Sequence, residues 1–505
     1  MTGVTLRPRL AVPPHWVGVA AFLLAAAIGL AARALATAGQ PTHAVVWGSL
    51  AFAAYAVSLL CLVGGGQGKF FGLGWWRFGS WTLLCYCVTY GVATLTWAQP
   101  QAGLAEEISV SSVLRALWLV AVGTTLWALG YFAGPGRPAR RFGTKVMAAL
   151  DLRFTPEVRS PLAPWILYAI GTAASVATAA TTGRFGYLGN TQSATTTASG
   201  YQQILNDLSY CTPLAVAAAA LQVYRERVPG ARVTLAVLFL AEIATGAAAG
   251  GKQSYIVAVL AVAIPFTTAR RRVRTGPVAF MALGLAGLVF LLVVIPFNHT
   301  YRSTVHSTSG SLSIRQAFDA APGVLGQVAG SGNAEVLSSS AAYVLGRIRE
   351  IDNPAIIMQR TPAEIGFVSP AQLIETPAEA LIPRAVWPGK PILDVGYEFS
   401  VEYYEVSAAD ITYSATTPVG DLYMHGGWIP VIAGMFLIGC LARLFDDVMD
   451  VHGSPQCIFL FLLLYTLLVA QEENWTQLIA NIPGALLIWL FATSLTFRKR
   501  ERQRG

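Results

Sequence analysis

Apolar runs of about twenty residues recur along this chain, and that is the length an α-helix needs to cross the roughly 30 Å hydrocarbon core of a bilayer. Inside that core the backbone has no water to pair with, so each such segment must close its hydrogen bonds internally as a helix. Twelve runs meet the requirement: residues 16–36, 43–63, 78–98, 113–133, 162–181, 208–224, 233–250, 252–269, 277–297, 419–442, 456–471 and 476–496. The expected fold class is an all-α polytopic integral membrane protein with about 12 transmembrane helices. Composition agrees, because only 12% of the 505 residues are charged and 54% are hydrophobic, where a soluble domain carries about 25% charged residues. The start, with Arg7, Arg9, an apolar run and Ala34-Leu35-Ala36, has the plan of a signal peptide, but its run of about 20 residues has the length of a span, so we assign it as the first helix.

Charge sets the expected orientation. With a cytoplasmic N-terminus, about two thirds of the 34 Lys and Arg fall in cytoplasmic segments, while most of the 26 Asp and Glu fall outside or within spans, which is the sense of the positive-inside rule. The net charge of +8 is therefore a matter of topology, since the basic residues lie in short clusters between spans and make no nucleic-acid surface. The chain then divides into a membrane domain at 1–297, a large extracytoplasmic loop at 298–418 between helices 9 and 10, a second membrane part at 419–497 and a basic cytoplasmic tail at 498–505. Both termini are expected in the cytoplasm. The loop should hold short amphipathic helices: one over Ala341–Ile357 ended by Asn353-Pro354, and one presenting Glu398, Glu402 and Glu405 on a single face. Thr376 to Pro391, with four prolines, should be ordered but non-regular.

The loop's cations invite a chemical reading. Arg302, Arg347, Arg349, Arg384 and Lys390 lie on the face normally kept poor in Lys and Arg. Guanidinium groups bind phosphate through paired hydrogen bonds, so an anionic substrate would account for them; pairing with the loop's own acids is the alternative. Prolines 383, 388 and 391 fix the backbone around Arg384, and Trp387 offers a flat surface for a sugar ring, unless the run is only a rigid plug. Arg184 belongs to a second outer segment, and Lys252 follows Gly250-Gly251 at an outer mouth, where snorkelling is the other account. Asp421 and His425 sit one turn apart at the start of helix 10. They suit a general base and its orienting partner, or else a dipole-favoured carboxylate beside an interfacial histidine. Glu242 lies midway in a span and is either functional or hydrogen-bonded to a neighbouring helix. The six cysteines lie in or at the ends of apolar spans with no disulfide or metal spacing. No nucleotide-binding loop is present either, Gly64 to Lys69 being a turn, so neither metal nor cofactor is expected.

Pro383-Arg384-x-x-Trp387-Pro388-x-Lys390-Pro391 and Thr417-Pro418-x-Gly420-Asp421-x-Tyr423, together with the long loop before the last three spans, resemble the oligosaccharide repeat-unit polymerases of the O-antigen and exopolysaccharide (Wzy-type) family. The sequence-specific part covers about residues 380–430. The resemblance implies a GT-C-like glycosyltransferase of the bacterial cytoplasmic membrane. It would transfer a growing glycan from its polyprenyl diphosphate to a hydroxyl of the next lipid-linked repeat, beside membrane lipid, a flippase and chain-length regulators as partners. It implies motif roles for Arg384, Trp387, Lys390 and Asp421, and catalytic arginines in outer loops, for which Arg184, Arg302, Arg347 and Arg349 qualify by location. A ligase transferring the glycan to another acceptor, or a transporter of lipid-linked glycans, remains the alternative.

Overall fold

The computed structural model describes residues 15–65, 76–98, 107–182, 184–185, 188–189, 201–249, 252–269, 348–382, 395–407, 414–470 and 472–499, with a few single positions between 297 and 387. Among the described residues eight helices are long and apolar enough to cross a membrane. The expected span at 277–297 lies outside them except for its last residue.

Helices α1 (His15–Thr37) and α2 (Pro41–Gly65) form an antiparallel hairpin whose turn uses Gly39 at φ +75°. Ser58 Oγ donates to the Gly18 carbonyl (2.9 Å), satisfying a hydroxyl that lipid could not. Helix α3 (Phe78–Tyr86) loosens into a π turn (Cys87–Val92) and a 3-10 turn (Ala93–Ala98). Next comes α4 (Val110–Ala133), N-capped by Ser109, whose side chain accepts from Ser112 N. Helix α5 (Arg137–Arg153) is basic and largely exposed, and β1 (Phe154–Val158) follows it.

A second group comprises α6 (Ala163–Thr182), the small antiparallel pair β2 (Arg184–Phe185) and β3 (Leu188–Gly189), α7 (Gln202–Ser209), α8 (Cys211–Leu221), α9 (Ala231–Ala249) and α10 (Lys252–Ala269). Helix α8 is apolar all round and rich in alanine, so it becomes the buried axis that α6, α9 and α10 pack on. Glu242 on α9 accepts from Thr212 Oγ1 of α8 (3.2 Å), the inter-helix hydrogen bond that was the structural alternative for it.

The remaining elements are α11 (Asp352–Arg360), α12 (Gln372–Leu381), α13 (Val395–Tyr404), α14 (Pro418–Met424), α15 (Trp428–Val448), α16 (Gln456–Leu468), α17 (Trp475–Thr496) and β4 (Phe497–Lys499). Helix α15 crosses α4 at glycines: a Cβ on Gly130 would stand 2.0 Å from the Phe436 carbonyl oxygen, and one on Gly439 2.0 Å from that of Trp127. Only hydrogen at both positions lets the two backbones meet.

Beside the helices of this all-α fold, β4 at the tail pairs with β1, matching Phe154 with Lys499 and Val158 with Phe497. Three expectations need correcting. Asn353-Pro354 starts α11 instead of ending a helix, because a first-turn proline lacks only an N–H that would be unpaired anyway. The run from Thr376 is helical to Leu381, Pro377 included. Finally, the tenth span is broken in two at His425–Gly427, and the eleventh is a 13-residue helix whose every residue is buried.

Contacts sort the inter-helix segments into two ends. At one, Asp446 at the end of α15 accepts from Phe78 N (2.8 Å), Gly79 N (3.0 Å) and Tyr131 Oη (2.7 Å), capping α3. Asp447 pairs there with Arg140 and Arg443. Glu226 accepts from Val158 N (2.6 Å), and Arg225 donates to the carbonyls of Val451 and His452. At the other end, Gln359 binds the Glu107–Ser109 backbone, Arg349 reaches Thr96, and Asp421 meets Trp475. Helix α17, 22 residues and so about 33 Å long, runs from the second end to the first.

Candidate functional site

The Thr417–Tyr423 motif can be followed atom by atom. Thr417, at φ +60°, caps α14 by accepting from Gly420 N (3.3 Å), and Pro418 occupies the first turn. Gly420 faces α11, where a Cβ would stand 2.8 Å from Ile357 Cδ1, so glycine sets the approach of the two helices. Asp421 is buried and accepts from Trp475 N (2.9 Å), the first residue of α17. Tyr423 lies edge-on to Phe367 (6.0 Å) and Trp428 (6.2 Å), both exposed. Gly426 (φ +132°) and Gly427 (φ +74°) then turn the chain into α15 through conformations closed to L side chains.

His425 stands at this break. Its Nδ1 is 2.8 Å from the Asp421 carbonyl oxygen and 3.7 Å from Asp421 Oδ1. A carbonyl can only accept, so Nδ1 carries the proton and a neutral imidazole keeps its lone pair on Nε2. Asp421 and His425 thus lie together, with the imidazole oriented by the Asp421 backbone carbonyl and the carboxylate 3.7 Å from Nδ1.

Trp475 ties this pair to α12. Pro377 has no N–H for the carbonyl four residues earlier, and that carbonyl, of Leu373, accepts the Trp475 indole N–H (2.8 Å). Val368 N donates to Met424 O (2.9 Å), fixing the strand of chain that carries Phe367 over the glycine turn. Two cooperating residues, Trp475 and Arg115, escaped the sequence reading. Arg115 near the start of α4 is exposed and close enough to Tyr423 to act on it electrostatically. A lone arginine in the first turns of an apolar run was the only signal, and it looks like any interfacial cation.

Arg349 has a different setting. Only 9% exposed, it holds Asp352 through Nε (2.8 Å) and Nη2 (2.9 Å), gives Nη1 to Thr96 (2.7 Å) and stacks 4.9 Å over Trp97. Trp97 Nε1 donates to the same carboxylate (3.2 Å), and Tyr404 Oη bonds Asn353 (2.8 Å). This network braces the 349–361 segment against the helix ends. Arg360 similarly binds Glu364, Glu405 and the Tyr403 carbonyl, leaving Glu398 and Glu402 on an exposed face.

Of the other candidates, Arg302, Arg347, Arg384 and Lys390 lie outside the described residues, and Trp387 is half-buried. Arg184 pairs its backbone with Gly189 and Lys252 opens α10. All six cysteines are free, and no group of metal-ligating side chains forms among the described residues.

A family model described as Domain of unknown function (DUF8712) matches residues 186–487. No curated protein and no solved structure matches the chain.

Proposed function

The chain belongs to this family of domains of unknown function, and on that premise we propose that it is a membrane glycosyltransferase that polymerises polyprenyl-diphosphate-linked oligosaccharide repeats into a cell-surface polysaccharide. The observation that carries the reading is His425, whose Nδ1 is oriented by the Asp421 carbonyl so that Nε2 keeps its lone pair, two residues beyond Tyr423, against which the exposed rings of Phe367 and Trp428 pack.

In this reading the acceptor sugar stacks on those rings. Its hydroxyl gives its proton to His425 Nε2 as the oxygen bonds to the anomeric carbon of the donor, and the bond from that carbon to the diphosphate oxygen breaks. The Asp421 carboxylate, 3.7 Å from Nδ1, favours the imidazolium so formed. The leaving diphosphate needs cations, a part we give to Arg347, Arg384 and Lys390 of the outer segment, with Arg115, which acts on Tyr423, as a further cation. A lipid-linked donor arrives laterally between spans, and the site faces outside the cell.

Protein in nanodiscs supplied with polyprenyl-diphosphate oligosaccharide alone should build a ladder of longer products without sugar nucleotide or ATP. His425→Ala should lower the rate about 10²-fold or more, the usual worth of a general base. Asp421→Asn, which can still accept from Trp475 N, should lose less. Failure of the wild type to elongate, or an undiminished rate in His425→Ala, overturns the proposal. The interrupted α14–α15 helix supports a second reading, since transporters build sites at such breaks. Movement of the lipid-linked glycan that depends on ATP or an ion gradient, with no elongation, would favour it.

A further inference from the structure

At the end of α17 opposite Trp475, a cavity of about 830 Å³ lies between the π turn Gln222–Glu226 that follows α8, the loop 227–230, the start of α9 and Ala269 at the end of α10. Its position follows from its neighbours: Glu226 holds Val158, whose strand pairs with β4 just beyond α17. The cavity is lined by Arg227 and Arg232. Arg225, in the same turn, is used by the fold on two carbonyls. Arg227 and Arg232 are exposed and have no ion-pair or hydrogen-bond partner among the described side chains. Arg227, which lines the cavity, is held at φ +59°, a left-handed conformation uncommon for a residue with a side chain.

A second observation bears on the ligand. Val233, Val237 and Leu240 follow the cavity along α9 at helical spacing and are 67%, 45% and 65% exposed. In a membrane-spanning chain this stripe is surface for acyl chains, and it starts at the cavity wall, since Val233 lines both. Tyr224, which also lines the cavity, packs edge-on to Phe266 (5.1 Å). Two guanidinium groups above an apolar track match a phosphodiester headgroup with its tails.

We propose that this cavity binds an anionic phospholipid of the leaflet on that side, its phosphate on Arg227 and Arg232 and its acyl chains along Val233, Val237 and Leu240. The site is independent of the His425 chemistry.

Native mass spectrometry of the full-length protein, released from micelles containing equal phosphatidylglycerol and phosphatidylcholine, tests this. The wild type should retain phosphatidylglycerol preferentially. Arg227→Ala with Arg232→Ala should reduce that retention roughly 25-fold, at about fivefold for each arginine near a lipid phosphate. Arg137→Ala with Arg141→Ala removes the same charge from exposed positions on α5 at the same end and should change nothing. Equal loss in both double variants, or no preference in the wild type, overturns the proposal, as does glycerol phosphate competing as well as the lipid, which would make the site a soluble-anion site. If the double variant does not fold, Arg227→Gln and Arg232→Gln made singly carry the same test, each with about a fivefold loss expected.

Discussion

A neutral imidazole carries one proton, and at His425 the Asp421 carbonyl 2.8 Å from Nδ1 decides which nitrogen holds it. Arg349 is chemically as capable of meeting a phosphate as any arginine in the chain, yet its guanidinium is engaged by Asp352, Thr96 and the face of Trp97. Removing one member of a buried pair leaves the other charge without compensation, a loss of about 3–5 kcal/mol. Arg349→Ala should therefore lower the unfolding temperature of the detergent-solubilised protein by several degrees, and Arg349→Lys should not restore it, because lysine cannot make the two-pronged contact. A variant that melts like the wild type but has lost activity would instead make Arg349 a substrate-binding residue.

Among the elements, the interruption between α14 and α15 does most to build the site. A continuous helix from Pro418 would carry His425 into the turn that begins α15, with its Nδ1 no longer set against the Asp421 carbonyl of a closed C-terminus. Gly427, at φ +74° and ψ −135°, holds the break open and lies under Phe367, where an added Cβ would meet the ring at 3.4 Å. Gly427→Ala should destabilise the protein by about 1–3 kcal/mol through backbone strain alone and raise the concentration of acceptor needed for half-maximal elongation as Phe367 shifts. Unchanged unfolding temperature and unchanged acceptor dependence would show that the turn tolerates a side chain and does not set the platform. Pro377 works in the same economy of backbone groups: the carbonyl it cannot satisfy is the one that Trp475 takes.

Among the described residues, Arg140, Arg225 and Arg443 make their contacts at one end with the β1–β4 pair, and the Asp421–His425 pair lies at the other. In our reading the first end is cytoplasmic. With the native cysteines replaced, a cysteine at exposed Ser369 should react with a membrane-impermeant maleimide in intact cells, whereas one at exposed Arg498 should react only after permeabilisation. The reverse pattern would invert the orientation and put the site on the cytoplasmic side.

The sequence by itself determined that this is a helical membrane protein, where most helices begin and end, and that Asp421 and His425 share a helix face. Those properties depend on length, hydropathy and local spacing, which a bilayer and the 3.6-residue repeat convert directly into structure. Local rules already misplaced Asn353-Pro354, since a proline that ends one helix also starts another, and they joined α14 to α15 because apolar runs do not reveal a glycine pair used as a break. Tertiary structure alone decided that Trp475, 54 residues beyond Asp421, would hold its carboxylate, and that Arg349 would brace a fold while Arg227 and Arg232 stood open. An arginine's role depends on which acids and carbonyls the packing brings within reach, and no spacing rule carries that information across spans.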